Sequence, residues 1–205
     1  MSIRLKTAED IARIQESGAL LGAILERVAM QAVPGADVFL LDKYAEDEIR
    51  ACGGVPAFKG YRHSGAKTPY PATLCVSKND VVVHGIPVAG DCLKEGDIVS
   101  LDIGMQWQGV FTDTALTVGV GNVSSEDQAL LDKTYESLLV GIRAAELGKS
   151  VAHIGKKIEQ YFDKHDYGIV EDLCGHGVGY EVHEEPNVPN YFEPYLQDIK
   201  LQNGL

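Results

Sequence analysis

The chain has 205 residues, a formal net charge of −12 and 45% hydrophobic residues, enough apolar material for one large domain or two small ones. The negative balance argues against a surface built for nucleic acid or an anionic membrane and suits a site that recruits cations or a protonated amino terminus. The start does not resemble a secretory signal, no apolar run is long enough to span a bilayer, and Cys52, Cys75, Cys92 and Cys174 are scattered without a C-x-x-C pair, as in a reduced, cytoplasmic protein.

Thr7-Ala-Glu-Asp10 opens a helix, with Thr7 as N-cap and the acids beside the positive helix end. Ile11, Ile14, Leu21, Ile24, Leu25 and Val28 then recur at helical spacing until Pro34-Gly35. Asp37 caps a second helix carrying Val38, Leu41, Tyr44, Ala45 and Ile49, which ends near Gly53-Gly54. From Val55 to Val120 the chain is strand-rich: Pro56-Ala-Phe58 begins it, His63–Thr68 reads as an exposed loop, Thr73–Ser77 and Val81–His84 as short strands, and Lys94–Asp97 as a turn. Ser124 opens a long helix with Leu130, Leu131, Tyr135, Leu138, Leu139 and Ile142 on its apolar face, ended by Gly148. Ser150 caps a fourth helix with Val151, Ile154, Ile158 and Phe162, reaching Tyr167-Gly168.

The helix pairs correspond: Gly35-Ala-Asp-Val38 with Leu41 matches Gly148-Lys-Ser-Val151 with Ile154. This weak internal repeat predicts an α+β fold of two halves, about 1–123 and 124–205, forming one domain with antiparallel sheet under helices. On the same logic the second half stops short of its last strands.

Val99 to Val118 reads as two strands joined by a tight turn at Gln108-Gly109, each strand carrying one acid, Asp102 or Asp113, in a β-branched apolar run. Counting outward from the turn sets Gly104 opposite Asp113 and Asp102 opposite Ala115. The two acids then share a face as diagonal neighbours, roughly 7 Å apart at the backbone. Unpaired carboxylates are costly to bury, so a converging pair fits one or two divalent metals. The alternative is one buried acid with a basic partner and one exposed acid.

Cys174-Gly-His-Gly-Val-Gly-Tyr-Glu-Val-His-Glu-Glu-Pro186 flanks His176 with glycine, which permits close approach of backbone or ligand. His183 follows, and His84 lies in Val-Val-His-Gly-Ile-Pro87. Imidazole binds metals and moves protons near neutral pH, but each also has a plainer reading. His84 could be a core or edge histidine, and His183 with Glu184-Glu185 a solvated turn. Tyr61, Tyr70, Cys75 and Trp107 could line a pocket or fill the core, with core the default for Trp107. His63, His153 and His165 read as loop and helix residues. No Gly-x-Ser-x-Gly elbow, activated cysteine motif or phosphate loop occurs.

Taken together, Pro71–Ser77, Val83–Pro87, Gly96–Asp102, Thr112–Thr114, Cys174–Gly179 and His183–Pro186 resemble type I methionine aminopeptidases of peptidase family M24, with the pita-bread fold shared by prolidase and creatinase. The resemblance runs from Thr7 to about Tyr191 and explains the repeat as the family's pseudo-two-fold. It implies that Asp102, Asp113 and His176 are metal ligands, with Asp113 bridging two divalent ions (Co, Mn, Fe or Zn). It implies that His84 and His183 contact the scissile amide and shuttle protons, and that Tyr61, Tyr70 and Cys75 line the methionine pocket. The implied reaction is removal of the initiator methionine from nascent chains with a small second residue, by a cytoplasmic monomer working at the ribosome, without direct nucleic-acid or membrane binding.

The family completes its site with two glutamates, in a Gly-Met-x-x-x-x-Glu-Pro stretch and near the C-terminus, and neither occurs in these 205 residues. The chain is therefore expected to be C-terminally truncated, to hold at most one metal, weakly, and to release little or no methionine by itself. Two rivals stand beside this reading. One is a non-catalytic pita-bread binding module, disfavoured by the persistence of Asp102, Asp113 and His176. The other is a prolidase-like enzyme, disfavoured by the His-Glu-Glu-Pro spacing and the short N-terminal region.

Overall fold

The computed structural model describes residues 3–62 and 65–205; the histidine at 63 and the serine at 64 of the expected loop lie outside them. The chain divides into two compact units, Ala12–Gln128, and Met1–Ile11 with Ala129–Leu205. No helix among the described residues is long and apolar enough to cross a membrane.

In the first unit, α1 (Ala8–Ala29, all but its first turn) and α2 (Val38–Ala51) cover one face of an antiparallel sheet of β1 (Val55–Pro56), β2 (Leu74–Lys78), β3 (Ile98–Trp107) and β4 (Val110–Gly119). Asp37 caps α2 as its sequence suggests, accepting from the Phe39 N–H at 2.9 Å. β3 is central: β1 and β2 pair along one side of it and β4 along the other. Alternation divides its side chains between the two faces. Val99, Leu101, Ile103, Met105 and Trp107 are buried against Leu21, Ile24, Leu25 and Val28 of α1 and Leu41, Ala45 and Ile49 of α2, and Trp107 is a core residue. The opposite face carries Asp102, Gly104 and Asp113.

Val81–Val83 is not a strand. These three valines are exposed, and it is the backbone of Gly85 that docks beside β2, accepting from Val76 N at 2.8 Å and donating to Ser77 Oγ at 3.1 Å. β-propensity in a short run yields to such local pairing.

The second unit contains α3 (Ser125–Ala144, all but its first turn), α4 (Val151–Phe162), and the short antiparallel pair β5 (Gly175–Gly177) and β6 (Glu184–Val188). α3 begins where Ser124 predicts, with Ser124 Oγ accepting from Asp127 N at 3.0 Å. Its buried residues, however, are Ser137, Gly141 and Ala144. A Cβ on Gly141 would lie 3.0 Å from Ile158 Cδ1 of α4, so the helices approach through small residues, while Tyr135, Leu138 and Ile142 are exposed. Ser150 stands at the N-cap of α4 but makes no side-chain cap bond, and α4 stops at Phe162, short of Tyr167-Gly168.

Candidate active site

The β3–β4 turn decides where the two aspartates point. Gln108 and Gly109 both have positive φ, 47° and 83°, as a two-residue turn matched to strand twist requires. No bulge interrupts the ladder: Trp107 pairs with Val110, Gly104 with Asp113 and Asp102 with Ala115, the register counted from the sequence. Asp102 and Asp113 therefore lie on the face away from the helices and hydrogen-bond to one another. Burial pushes the Asp113 carboxyl up to about 6, against the downward pull of its bonds to Asp102 and the Thr114 backbone. Two carboxylates this close share a proton or a cation, so these residues fit a divalent metal.

β2 brings Cys75 directly opposite Asp102. Burial, reinforced by the charges of Asp102 and Asp113, pushes the Cys75 thiol up to about 12, against its bond to Tyr70, so Cys75 stays a protonated thiol and not a nucleophile. Burial and the same bond raise the Tyr70 phenol. Its hydroxyl sits 2.9 Å from Gly85 O and 3.2 Å from Leu74 O. Tyr61 is half-buried and accepts from Tyr70 N at 2.8 Å, which closes the intervening loop.

His84 is exposed, with φ 57°, in the left-handed region that few residues other than Gly, Asn, Asp and His adopt. Its neighbour holds it there: a Cβ on Gly85 would lie 2.1 Å from Val76 O, so only glycine fits against β2. Phe58, part of the strand start in the sequence, is buried over the face that carries the aspartates. Its ring lies where a Cβ on Gly104 would stand, 2.5 Å from Cε1. Gly104 shares the face of both aspartates, and the signal that could have marked it is glycine within an otherwise β-branched strand.

In the second unit, β5 and β6 bring His176 and His183 together, with ring centroids 4.3 Å apart. Gly177 is needed because a Cβ there would meet Glu185 O at 2.9 Å. His176 Nδ1 lies 2.8 Å from Gly177 O. With Nδ1 as the donor, Nε2 is the unprotonated nitrogen of the neutral ring. Glu184, next to His183, is not loose on the surface. It pairs with Lys6 and accepts backbone N–H groups from Tyr180 and Glu181. Burial raises its pKa, but these bonds outweigh burial and hold it below the usual carboxylate range.

The structure thus brings the aspartates together in one unit and the histidines together in the other. Among the described residues, no group of three or more His, Cys, Asp or Glu is arranged as a cation site. The profile of metallopeptidase family M24 matches residues 12–205. The chain belongs to this family. It is 42% identical over 203 residues to the methionine aminopeptidase of Borreliella burgdorferi, covering 99% of this chain and 78% of that protein, and 40% identical to that of Aquifex aeolicus, at 99% and 77%. The solved methionine aminopeptidase of Thermotoga maritima superposes with a TM-score of 0.91 at 33% identity, over 99% of this chain and 79% of that one. Prolidase from Pyrococcus furiosus, at 20% identity and a TM-score of 0.78, shares the fold. The architecture is therefore the pita-bread α+β fold of the M24 family, and membership implies divalent metal cofactors.

Proposed function

We propose that this M24 chain is a methionine aminopeptidase, removing the N-terminal methionine of nascent chains whose second residue is small, with 1–205 acting as one catalytic domain in the cytoplasm. The observation that carries the reading is the convergence of Asp102 and Asp113 on the sheet face opposite the helices. In the proposal Asp102 and Asp113 hold the metal, with His176 as the further ligand that the resemblance implies. A divalent cation held by these residues would supply a Lewis acid for the amide carbonyl and for water. His84, fixed by the docking of Gly85, contacts the scissile amide, and His183 moves a proton to the departing amine. Tyr61, Tyr70, Cys75 and Phe58 shape an apolar recess for the thioether, which such a surface suits. The net charge of −12 favours the approach of a protonated amino terminus.

The two further glutamates that the resemblance implies have no counterpart among these 205 residues, so one cation is proposed for the polypeptide and little turnover from it alone. Calorimetric titration with Mn²⁺ tests the site: one equivalent is expected, lost in Asp113→Ala and Asp102→Ala. Uptake unaffected by either substitution would overturn the reading. Robust methionine release from Met-Ala-Ser by the 205-residue polypeptide would show that the three ligands suffice. The half-buried acid pair also separates this reading from a non-catalytic pita-bread module, in which nothing would offset the cost of holding two carboxylates together.

A further inference from the structure

We propose that Lys6 and Tyr180 are positioning residues for His183, and that the N-terminal segment Arg4–Asp10 is a strap that fixes the turn carrying this histidine. The inference rests on the reading of His183 as a proton-handling group, and it adds residues that the motifs do not mark. The turn Tyr180–Glu184 carries His183, whose ring pairs with that of His176. His183 is exposed and its ring packs on that of His176, so the backbone of this turn is what brings it there.

That backbone is tied down from the opposite end of the chain. Lys6 Nζ lies 2.5 Å from Glu184 Oε2, across 178 residues of sequence, and the two side chains are only 7% and 10% exposed. The other oxygen of Glu184 accepts the N–H groups of Tyr180 and Glu181, the latter at 2.8 Å, so one carboxylate closes the turn and anchors it. Tyr180 makes the second tie: its hydroxyl donates to Asp10 Oδ2 at 2.6 Å, and the Arg4 guanidinium sits 4.3 Å from its ring centre. Asp10 is held in turn by Thr7, whose N–H and Oγ1 donate to the same oxygen at 3.0 and 2.6 Å. The strap is seated by Lys6 N donating to Gly204 O at 2.6 Å.

A buried ion pair returns little net stability, because desolvation offsets most of the attraction, but it imposes one geometry. A lysine sequestered against the residue next to His183 therefore serves orientation more than overall stability.

The test measures the 205-residue chain and its Lys6→Met, Lys6→Arg and Tyr180→Phe variants. Amide hydrogen exchange reports on 177–186, and diethyl pyrocarbonate labelling reports on each histidine by mass spectrometry. In Lys6→Met, exchange at Tyr180 and Glu181 is expected to rise at least tenfold and labelling of His183 about threefold, with His153 and His165 unchanged. Lys6→Arg should restore most of both. Tyr180→Phe, which removes one hydroxyl and keeps the ring, should show the same pattern more weakly and decides the case if Lys6→Met does not fold. The proposal is overturned if exchange and labelling at His183 match the parent, or if all histidines become reactive together in proportion to lost thermal stability. Binding of Met-Ala-Ser in Mn²⁺ by His183→Ala is the separate check on His183 itself. Unchanged binding there would remove the role of His183 while leaving the strap's effect on the turn as measured.

Discussion

Replacing Asp113 by Asn is expected to stabilise the metal-free chain, and to do so only where the carboxylate would be charged. Asp113 is raised from 3.8 to about 6 in the folded chain, chiefly by burial. A carboxyl raised on folding favours the folded state while protonated, and that advantage is lost as pH rises from the unfolded value through the folded one. The span of about 2 pH units corresponds to about 3 kcal/mol in all, and roughly half of it falls between pH 5 and pH 8. In excess EDTA, the gap between Asp113→Asn and the parent should therefore widen by about 1.5 kcal/mol from pH 5 to pH 8, or about 3–6 °C in melting temperature for a chain of this size. Urea unfolding at both pH values measures it, and comparing the two chains cancels the titrating groups other than Asp102, which titrates together with Asp113. Mn²⁺ at pH 8 should raise the parent's stability and leave Asp113→Asn unmoved. A gap that is constant with pH would mean that Asp113 is not buried as the fold requires, and the metal-site argument would lose its physical basis.

Other consequences are as specific. Glu46 is held at about 2 by bonds to Lys59 and Arg50, against burial, with Lys43 adding to them. Because these partners are 35–55% exposed, Glu46→Gln should cost only about 1–2 kcal/mol at pH 7. In the parent this stabilisation should fade as pH falls from about 4.5 towards 2, followed by urea unfolding in acid. Gly85→Ala would drive a methyl to 2.1 Å from Val76 O, and an expected loss of about 2–4 kcal/mol in urea unfolding should come with altered His84 imidazole signals by NMR. Ile103→Ala empties a fully buried position between sheet and helices and should cost about 3–4 kcal/mol in the same assay. Asp37→Ala removes the α2 cap and the acceptor for Gly90 N, at about 1–2 kcal/mol.

Much of the site was legible because it is local. The hairpin needs only strand alternation and a two-residue turn to fix its register, and those two facts place Asp102 and Asp113 on one face whatever surrounds them. The caps at Thr7, Asp37 and Ser124 are local in the same way, since each side chain bonds within its own first turn. The fold class followed from motif order and from the repeat of helix pairs.

What the sequence by itself determined is thus periodicity, turn chemistry and the identity of the reactive side chains. Only the tertiary structure decided which surfaces meet. Val81–Val83 has the composition of a strand, but Gly85 occupies the place beside β2. The large apolar residues of α3 mark a helix, but its contact with α4 runs through Gly141. Phe58 has no pattern linking it to Gly104, and nothing near Glu184 in sequence announces Lys6. Interactions between residues adjacent along the chain are encoded in spacing. Contacts between distant segments depend on shape and on which polar groups must find partners once buried, and those conditions exist only after the chain has folded.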